Sequence, residues 1–265
     1  GVRGFEIGDR VGIAWIHNTC GKCRFCLEGR ENLCERFEAT GRDAHGGYTQ
    51  YTKVREDFAY LIPDVFSDAE AAPLLCAGAI GYRALRLSGH RDGQNIGLVG
   101  FGASAHIVIQ ILRFHYPNSR VFVFARGEKE REFAKQLGAV WAGGIEDEPP
   151  EKVHSAIDTT PAWNPVVKIL KNIEAGGRLV INAIRKEEVD KDVLLSIDYA
   201  RDLWLEKEIK SVANVTREDV REFLYLASQI PIKPQYQPFT LKDANRALRE
   251  LKEGKIRGAK VLIIE

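Results

Sequence analysis

The stretch Asn95–Phe114, NIGLVGFGASAHIVIQILRF, joins a short apolar run to an amphipathic pattern through a glycine-rich turn. Asn95–Val99 predicts a strand, and Ser104–Phe114 predicts a helix with apolar residues along one face. The turn between them matches the G-x-G-x-x-G/A pattern of dinucleotide-binding proteins. This stretch therefore predicts the first strand–turn–helix unit of a nucleotide-binding sheet.

The turn itself supplies the first candidate binding residues. They are Gly100, Phe101, Gly102, Ala103, Ser104 and Ala105. The first glycine permits a tight bend, the second lets a pyrophosphate approach bare backbone, and the small Ala105 lets helix and strand pack closely. Such a motif is weak when it stands alone, because any glycine-rich turn can match it. Its position between a predicted strand and a predicted helix is the context that supports dinucleotide binding.

The alternation of strands and helices continues on the carboxyl side of the motif. Further elements are expected as strands at Arg120–Ala125, His154–Asp158, Arg178–Ala183 and Glu208–Ala213, and as helices at Lys129–Leu137 and Asn164–Ile173. Gly176 and Gly177 are expected to stop the second of these helices. Regular alternation of this kind predicts an α/β fold with a doubly wound parallel sheet.

The residues after the second predicted strand bear on the choice of coenzyme. NAD-binding proteins of this type carry Asp or Glu about 20 residues past the glycines, but this chain has Phe124-Ala125-Arg126-Gly127 there. Arg126 can pair with a 2′-phosphate through charge-assisted hydrogen bonds. Lys129 and Arg131 add positive charge nearby, unless they only form the solvated face of a helix. The sequence thus favours NADP over NAD.

Four of the five cysteines lie within one loop-like stretch, with the spacing C-x2-C-x2-C-x7-C. They are Cys20, Cys23, Cys26 and Cys34. Four neighbouring thiolates suit a closed tetrahedral Zn²⁺ site, which holds a loop together and leaves no position for substrate. A disulfide framework is disfavoured in a large chain that we expect to be cytosolic. An iron–sulfur run would have three residues before its fourth cysteine and a proline after it, whereas seven residues and then Glu35 stand here.

Composition excludes several classes of protein. The chain has 265 residues, 45% of them hydrophobic and 28% charged, which argues against disorder, collagen and coiled coil and favours about two domains. A formal net charge of +1 offers no field for nucleic acid or an anionic membrane. No run approaches the roughly 20 apolar residues of a membrane span, and Gly1–Arg10 lacks the order of a signal peptide. We expect a cytoplasmic protein.

The order of these features resembles one family. A four-cysteine lobe, then PLLCAG at 73–78, then the Rossmann unit resembles the zinc-dependent alcohol dehydrogenases of the medium-chain dehydrogenase/reductase family. Shorter matches are GDRVG at 8–12, GRENLC at 29–34, GGY at 46–48 and GKIRG at 254–258. The resemblance covers essentially the whole chain. It implies a β-rich GroES-like catalytic domain beside the Rossmann domain, and reversible hydride transfer between NAD(P) and a primary or secondary alcohol, or an aldehyde or ketone.

Individual roles also follow from the resemblance. Cys76 matches a ligand of the family's catalytic zinc, although a cysteine in an apolar run is otherwise an inert core residue. Arg257 matches an arginine that contacts the coenzyme pyrophosphate, and Asn182 lies where the family holds the nicotinamide end. Relatives are homodimers or homotetramers, and the strand at Glu208–Ala213 is a plausible sheet edge for pairing across a two-fold axis.

The resemblance also implies a departure. The family's first catalytic-zinc ligand, its proton-relay Ser or Thr and its Gly-His-Glu segment should precede Gly1, and one thiolate cannot hold a catalytic Zn²⁺. The chain contains no methionine, so we expect the sequence to open inside a longer protein, unless methionine positions carry a modified residue that the sequence omits. The alternative is a noncatalytic or truncated dinucleotide-binding protein that keeps only the structural zinc. An iron–sulfur module or a zinc-free quinone reductase relative is a more distant alternative.

The sequence further predicts three segments: residues 1–76 as part of the catalytic domain, with the zinc lobe at 18–36, residues 77–214 as the NAD(P)-binding domain, and residues 215–265 as a return to the catalytic domain. The outer segments are expected to contain strands at Val11–Trp15, Tyr48–Val54, Phe58–Leu61 and Lys260–Ile264, and helices capped by Thr216 and at Leu241–Glu253. Gly254 is expected to end the last helix.

Overall fold

The computed structural model describes residues 2–254 and 257–264, and the chain divides into two compact units. The first unit comprises Gly1–Ile80 and Ala213–Glu265, and the second comprises Gly81–Val212. The first unit opens with strands β1 (Val11–Ile13) and β2 (Ile16–Asn18), helix α1 (Arg24–Leu27), strands β3 (Glu38–Ala39) and β4 (Ala59–Leu61), and helix α2 (Asp68–Pro73).

Helix α3 (Ala79–Ser88) leads into the second unit. The second unit continues with β5 (Asn95–Val99), α4 (Ala105–His115), β6 (Arg120–Phe124), α5 (Glu128–Gln136), β7 (Trp141–Gly143), β8 (Val153–Asp158), α6 (Asn164–Leu170), β9 (Ile173–Ile181) and β10 (Glu208–Ser211). The first unit ends with α7 (Arg217–Gln229), β11 (Tyr236–Thr240), α8 (Ala244–Lys252) and β12 (Ala259–Ile263).

The second unit is built on a six-stranded sheet of order β10-β9-β8-β5-β6-β7, and every ladder in it is parallel. The chain runs outward from β5 through β6 to β7 and then returns to start the other half at β8. The strand order therefore reverses between β5 and β8, and ligands of doubly wound sheets bind beside such a reversal. The expected α/β fold with a doubly wound parallel sheet is confirmed.

The sequence of β5 explains why this strand lies at the centre. All five of its residues are buried, as expected for a strand that helices cover on both faces. One core cluster contains Phe122 and Phe124 of β6, Ile169 of α6 and Leu179 of β9. At roughly 25 cal/mol per Å² of buried apolar surface, side chains of this kind supply the main stabilisation of the sheet.

The first unit contains three two-stranded sheets among its described residues: antiparallel β1–β4 and β2–β3, and parallel β11–β12. Helix α7 begins at a capping box in which the Thr216 hydroxyl accepts a hydrogen bond from the Asp219 amide. The helix buries its apolar residues Val220, Phe223, Leu224 and Ala227, as its periodicity predicts. Gly254 follows Glu253, the C-cap of α8, and has φ +73°, a left-handed conformation that glycine adopts without strain.

Several predicted elements differ in the structure. The predicted strand Tyr48–Val54 is wrong, because this segment is irregular, joins no described β-ladder and exposes Tyr51 almost fully. The predicted strand Val11–Trp15 ends early, at Ile13, and a separate strand begins only at Ile16. Short strands β7 and β11 were missed.

The expected stop at Gly176 and Gly177 is also wrong. Helix α6 already ends at Leu170, and the glycines lie inside β9. The β8–β9 register shifts there, since Val153 pairs with Ile173 but Ser155 pairs with Arg178. Gly176 has φ +69° and its N–H donates to Leu205 O at 2.8 Å. The glycines thus form an irregularity within a strand, which the sequence does not distinguish from a helix stop.

Candidate functional site

The glycine turn lies between β5 and α4, at the carboxyl end of the central strand. Gly100 has φ +79°, and its N–H donates to Phe124 O of β6 at 2.8 Å. Gly102 stands in open space, where an added β-carbon would meet no described atom within 4 Å. Ala105 is buried at the start of α4, and the Phe101 ring packs edge-on against Phe133 of α5. The turn thus bends on one glycine and exposes backbone at the other.

A second turn, at 159–163 after β8, packs against the first. An added β-carbon at Gly100 would lie 2.9 Å from Thr159 Oγ1 and 3.0 Å from Thr160 Cγ2. The Thr159 amide and hydroxyl both donate to Val99 O, at 2.8 and 3.0 Å. Gly100 is therefore required twice, once for its backbone conformation and once for the close approach of these threonines. The two turns meet where the strand order reverses.

Ser104 and Asn182 lie together beside this turn. Asn182 directly follows β9, and its side-chain Nδ2 donates to Ser104 Oγ at 3.3 Å. The Asn182 amide donates to Asp158 O at 2.7 Å. The sequence placed these two residues in the same functional region on separate grounds, and they are in contact in the structure.

Positively and negatively charged side chains both lie just beyond the end of β6. Arg126 is exposed immediately after Ala125, and Arg131 Nη1 approaches Ala125 O at 3.5 Å. Glu130 folds back so that its Oε2 accepts the Gly127 amide at 3.0 Å. A carboxylate therefore does lie beside this turn, as an N-terminal cap of α5. Spacing counted from the glycines does not reveal it.

The four cysteines of the lobe come together in space. Their sulfur atoms all lie within 4.8 Å of one another. The Cys23–Cys26 and Cys20–Cys26 sulfur pairs are 3.6 and 3.9 Å apart, close to the about 3.8 Å edge of a tetrahedron with Zn–S bonds of about 2.3 Å. Gly21 and Gly29 both have positive φ, +70° and +68°, and they allow the tight bends of the lobe. The donor set and its spacing fit a structural zinc ion.

Backbone donors prepare this cluster for a metal. The Cys23 amide donates to Cys20 Sγ at 3.2 Å, and the Cys20 amide donates to Cys34 Sγ at 3.4 Å. Amide hydrogen bonds, first among them those from Lys22 and Cys23, lower the pKa of the Cys20 thiol to about 6. A thiolate is the form that binds zinc. The lobe therefore favours the deprotonated form at this cysteine near neutral pH.

The lobe is anchored to the returning chain by two residues that the sequence analysis did not single out. Buried Glu31 accepts both the Arg217 amide, at 2.9 Å, and the Arg217 Nε, at 3.1 Å, on its Oε1. Asn32 Nδ2 donates to Ala213 O at 2.7 Å. A glutamate beside an asparagine in a loop gives no sequence signal of burial, because the partners lie far along the chain.

Cys76 and Arg257 both belong to the first unit. Cys76 lies in a π-helical turn, Leu74–Gly78, whose other large residues are buried while its own side chain is exposed. Desolvation by neighbouring protein atoms raises the pKa of the Cys76 thiol even though the side chain reaches solvent. Among the described residues it shares no group of three or more candidate ligands. Arg257 is exposed just before β12.

A buried ion pair that sequence reasoning missed follows β8. Asp158, the last residue of that strand, is fully buried and pairs with the side chain of Lys186, which is 7% exposed. Burial raises the pKa of the Asp158 carboxyl above its ordinary value, while Lys186 and Thr160 act in the opposite direction. Asp158 and Lys186 lie 28 positions apart in the sequence, and the Lys–Glu–Glu stretch at Lys186 is typical of a protein surface. The sequence therefore gives no signal of this contact.

None of the described helices combines the length and apolar character needed to cross a lipid bilayer.

The amino-terminal part of the chain, residues 1–64, matches the alcohol dehydrogenase GroES-like domain. This match agrees with the small antiparallel β-sheets of the first unit.

The similarity to curated proteins extends over nearly the whole chain. The "Probable alcohol dehydrogenase AdhA" of Mycobacterium tuberculosis is 41% identical over 260 residues, which cover 98% of this chain and 73% of that protein. The structure of CAD from Helicobacter pylori, solved in complex with NADP(H), has the same fold, with a TM-score of 0.83 and 23% identity over 100% of this chain and 77% of its own.

A further solved structure is the acetophenone reductase of Geotrichum candidum in complex with NAD. It aligns with a TM-score of 0.82 and 25% identity over 97% of this chain and 74% of its own. The identity to the mycobacterial protein over most of both chains decides the relationship, and the shared fold agrees with it. This chain belongs to the zinc-dependent alcohol dehydrogenases of the medium-chain dehydrogenase/reductase family, which are oxidoreductases.

Proposed function

We propose that this chain binds a nicotinamide coenzyme at the Gly100–Ala105 turn, with NADP preferred over NAD, for hydride transfer between an alcohol and the matching aldehyde or ketone. The observation that carries this proposal is the open face of Gly102 at the start of α4. Backbone N–H groups at a helix start favour phosphate, and a glycine without neighbours lets the pyrophosphate approach them. Family membership supports the same reading.

Each proposed coenzyme contact uses a residue already described. The turn residues Phe101, Ala103 and Ser104 hold the pyrophosphate through their backbone, and Asn182 lies at the nicotinamide end. Arg257 is assigned to the pyrophosphate on the family resemblance alone. When bound, the coenzyme supplies the carbon that gives or accepts the hydride, and the chain's part is to hold that carbon in place and exclude water.

The preference for NADP rests on Arg126. Its exposed guanidinium at the end of β6 can pair with a 2′-phosphate, and Arg131 adds positive charge at the same turn. Glu130 opposes this preference, but its carboxylate is already engaged by the Gly127 amide. The relatives do not decide the matter, since one was solved with NADP(H) and another with NAD.

The metal proposals differ for the two sites. Cys20, Cys23, Cys26 and Cys34 are proposed to hold a structural zinc, because their sulfur positions fit the ion. Cys76 is proposed as a ligand of the catalytic zinc, on the family resemblance. A catalytic zinc needs three protein ligands, and the described residues around Cys76 do not provide them. We therefore assign no reaction step to that metal.

The test is a titration of the purified chain with NADPH and with NADH, followed by coenzyme fluorescence. We expect Arg126→Ala to weaken NADPH binding about tenfold or more, since a charge-assisted hydrogen bond contributes roughly 1.5–3 kcal/mol, and to leave NADH binding within about twofold. Lys135→Ala, which removes a positive charge from the far end of α5, is the control. Equal losses for both coenzymes would refute the role of Arg126, and a wild-type chain that binds neither would refute the proposed function.

A further inference from the structure

We infer that Lys186 is a positioning residue that holds the 159–163 turn against Gly100 and thereby sets the conformation of the coenzyme-facing turn. The inference rests on the proposed function of the Gly100–Ala105 turn. It is carried by the contacts of the Lys186 ammonium group and by the packing that connects those contacts to Gly100.

The Lys186 ammonium group has three acceptors within the protein. Its Nζ donates to Asp158 Oδ2, to Thr160 O at 2.8 Å and to Ala162 O at 3.0 Å. It also lies 5.9 Å from the centre of the Trp163 ring. An ammonium group has three protons to donate, so these acceptors satisfy it completely. Two of the three belong to the backbone of the 159–163 turn.

The same turn is tied to the glycine turn by short contacts. Asp158 Oδ1 accepts the Thr160 hydroxyl at 2.7 Å and the Thr160 amide at 3.2 Å. Thr159 is bonded twice to Val99 O, the residue before Gly100. Both threonines lie so close to Gly100 that a β-carbon there would meet them at about 3 Å. A shift of the second turn must therefore move the first, because packed interiors have little free volume.

The segment that carries Lys186, residues 182–190, is bonded to the turn at two further residues. The Glu187 amide donates to Pro161 O at 2.8 Å, and Asp190 Oδ2 accepts the amides of Trp163 and Asn164 at 2.8 Å each. Asn182, at the start of the segment, bonds Ser104 of the glycine turn itself. The buried Lys186 side chain lies in sequence between these separate attachment points, whereas Ile184 and Val189 of the same segment are exposed.

A lysine that only neutralised Asp158 would not need the two carbonyl contacts. Replacement of Lys186 alone would leave the buried Asp158 charge without a partner and would destabilise the protein for that reason alone. The double variant Asp158→Asn/Lys186→Met removes both charges and the carbonyl contacts together, so it separates neutralisation from positioning. Lys191→Met is the matched control, because Lys191 directly follows this segment and makes only an exposed ion pair, with Glu188.

The experiment measures two properties of the full chain in each variant: affinity for NADPH and NADH, and hydrogen exchange of the Gly100 and Thr159 amides, which donate to Phe124 O and Val99 O. We expect the double variant to bind both coenzymes about tenfold more weakly and to exchange these amides about tenfold faster. Equal losses for the two coenzymes are expected because the turn faces the pyrophosphate that they share. Lys191→Met should behave as the wild type does.

Each outcome decides the matter. A double variant that binds and exchanges like the wild type, while Lys186→Met alone is impaired, would reduce Lys186 to charge neutralisation and overturn the inference. A double variant that loses affinity for NADPH but not for NADH would also overturn the inference, because such a difference would come from the 2′-phosphate and not from the pyrophosphate that both coenzymes share. A wild-type chain that binds neither coenzyme would overturn the proposed function together with this inference, whereas unchanged exchange in a chain that binds would overturn this inference alone.

Discussion

Gly100 and Gly102 occupy the same turn for different physical reasons, and alanine substitutions should separate them. Gly100 has a positive φ and threonine atoms about 3 Å from where a β-carbon would stand. We expect Gly100→Ala to lower the free energy of unfolding by about 1–3 kcal/mol, from backbone strain and crowding, and to weaken coenzyme binding. Chemical denaturation and coenzyme titration of the same preparation measure the two effects.

Gly102→Ala should behave differently, because its β-carbon would enter open space. We expect the free energy of unfolding to stay within about 0.5 kcal/mol of the wild-type value, while coenzyme affinity falls at least about tenfold because the methyl group occupies the approach of the pyrophosphate. If the Gly102 variant bound coenzyme as tightly as the wild type, the pyrophosphate would not lie over this residue.

His90 makes the stability of the folded protein depend on pH. Its Nε2 shares a hydrogen bond of 2.9 Å with Ser119 Oγ, and the residue is 7% exposed. Desolvation, with a smaller contribution from His154, lowers the pKa of His90 to about 4. The unfolded chain, with a pKa near 6.5, therefore binds the proton more readily than the folded protein does. Stability from this residue is present above pH 6.5 and is lost as the pH falls toward 4.

The expected loss of unfolding free energy due to His90 is up to about 3 kcal/mol between pH 6.5 and pH 4, at 1.36 kcal/mol per pKa unit. We expect His90→Gln, which cannot titrate, to show a smaller loss of unfolding free energy between pH 6.5 and pH 4 than the wild type does. Urea unfolding at a series of pH values measures this difference. Parallel curves for the two proteins would mean that His90 titrates normally in the folded state.

Sequence reasoning predicted the local geometry of residues that are recognised by spacing or by a backbone requirement. Spacing or a backbone requirement identifies the glycines of the turn, the four clustered cysteines and Thr216. The structure shows the turn, the sulfur cluster and the cap. Sequence reasoning missed Lys186, Glu31 and Glu130, whose environment depends on partners that the fold brings near. A charged residue in a polar stretch looks solvated until its partner is known.

Among the elements, the cysteine lobe makes the most direct prediction. We expect Cys34→Ser to remove most of the bound zinc and to lower the melting temperature, since a bound metal at about 100 times its Kd contributes about 2.7 kcal/mol to folding. The anchoring contact of Glu31 with Arg217 should loosen at the same time. Metal analysis and thermal denaturation, with and without a chelator, measure these changes.

Cys76→Ser is the matched control for the lobe, because Cys76 lies outside the sulfur cluster. We expect this variant to retain the zinc of the lobe and its dependence on chelator. Loss of the same zinc from both variants would contradict the assignment of the four clustered cysteines as a closed site.

Elements with a strong apolar period were predicted well, and those without one were not. Asn95–Val99 was predicted to the residue, and α7 begins after the predicted cap. Tyr48–Val54 has the composition of a strand, yet its two tyrosines are exposed, because β-structure requires a partner strand and no described ladder supplies one. The three-residue strand β7 has too few residues to show a period at all.

At the scale of the whole molecule, the doubly wound sheet followed from the alternation of elements, and the family followed from several motifs in order. The domain boundaries at residues 76 and 214 stay a prediction, because motifs do not define boundaries. The individual coenzyme contacts also stay a prediction, because they depend on a bound ligand. The sequence suggests one edge of the sheet, at Glu208–Ala213, but it does not reveal the opposite edge strand, β7. Both edge strands are short, and only the structure shows how their side chains are exposed.

The proposed assembly into dimers or tetramers can be tested at those edges. Strand β10 ends the sheet on one side and all four of its residues are exposed, including Ile209 at 42%. Val140 precedes β7 at the opposite edge and is 50% exposed. An open edge strand pairs readily with another copy unless charge prevents it. We therefore expect β10 to pair with its counterpart across a two-fold axis.

Ile209→Lys should weaken that assembly, because the two-fold axis would bring two like charges together, whereas Val140→Lys should leave it unchanged. Each substitution replaces a similarly exposed apolar side chain and should change monomer stability by less than about 0.5 kcal/mol. Sedimentation over a range of protein concentrations measures the dissociation constant, and we expect an increase of at least about tenfold for the first variant. If Val140→Lys dissociated the assembly and Ile209→Lys did not, the pairing edge would be β7, and a wild-type chain that stays monomeric throughout would exclude pairing at either edge.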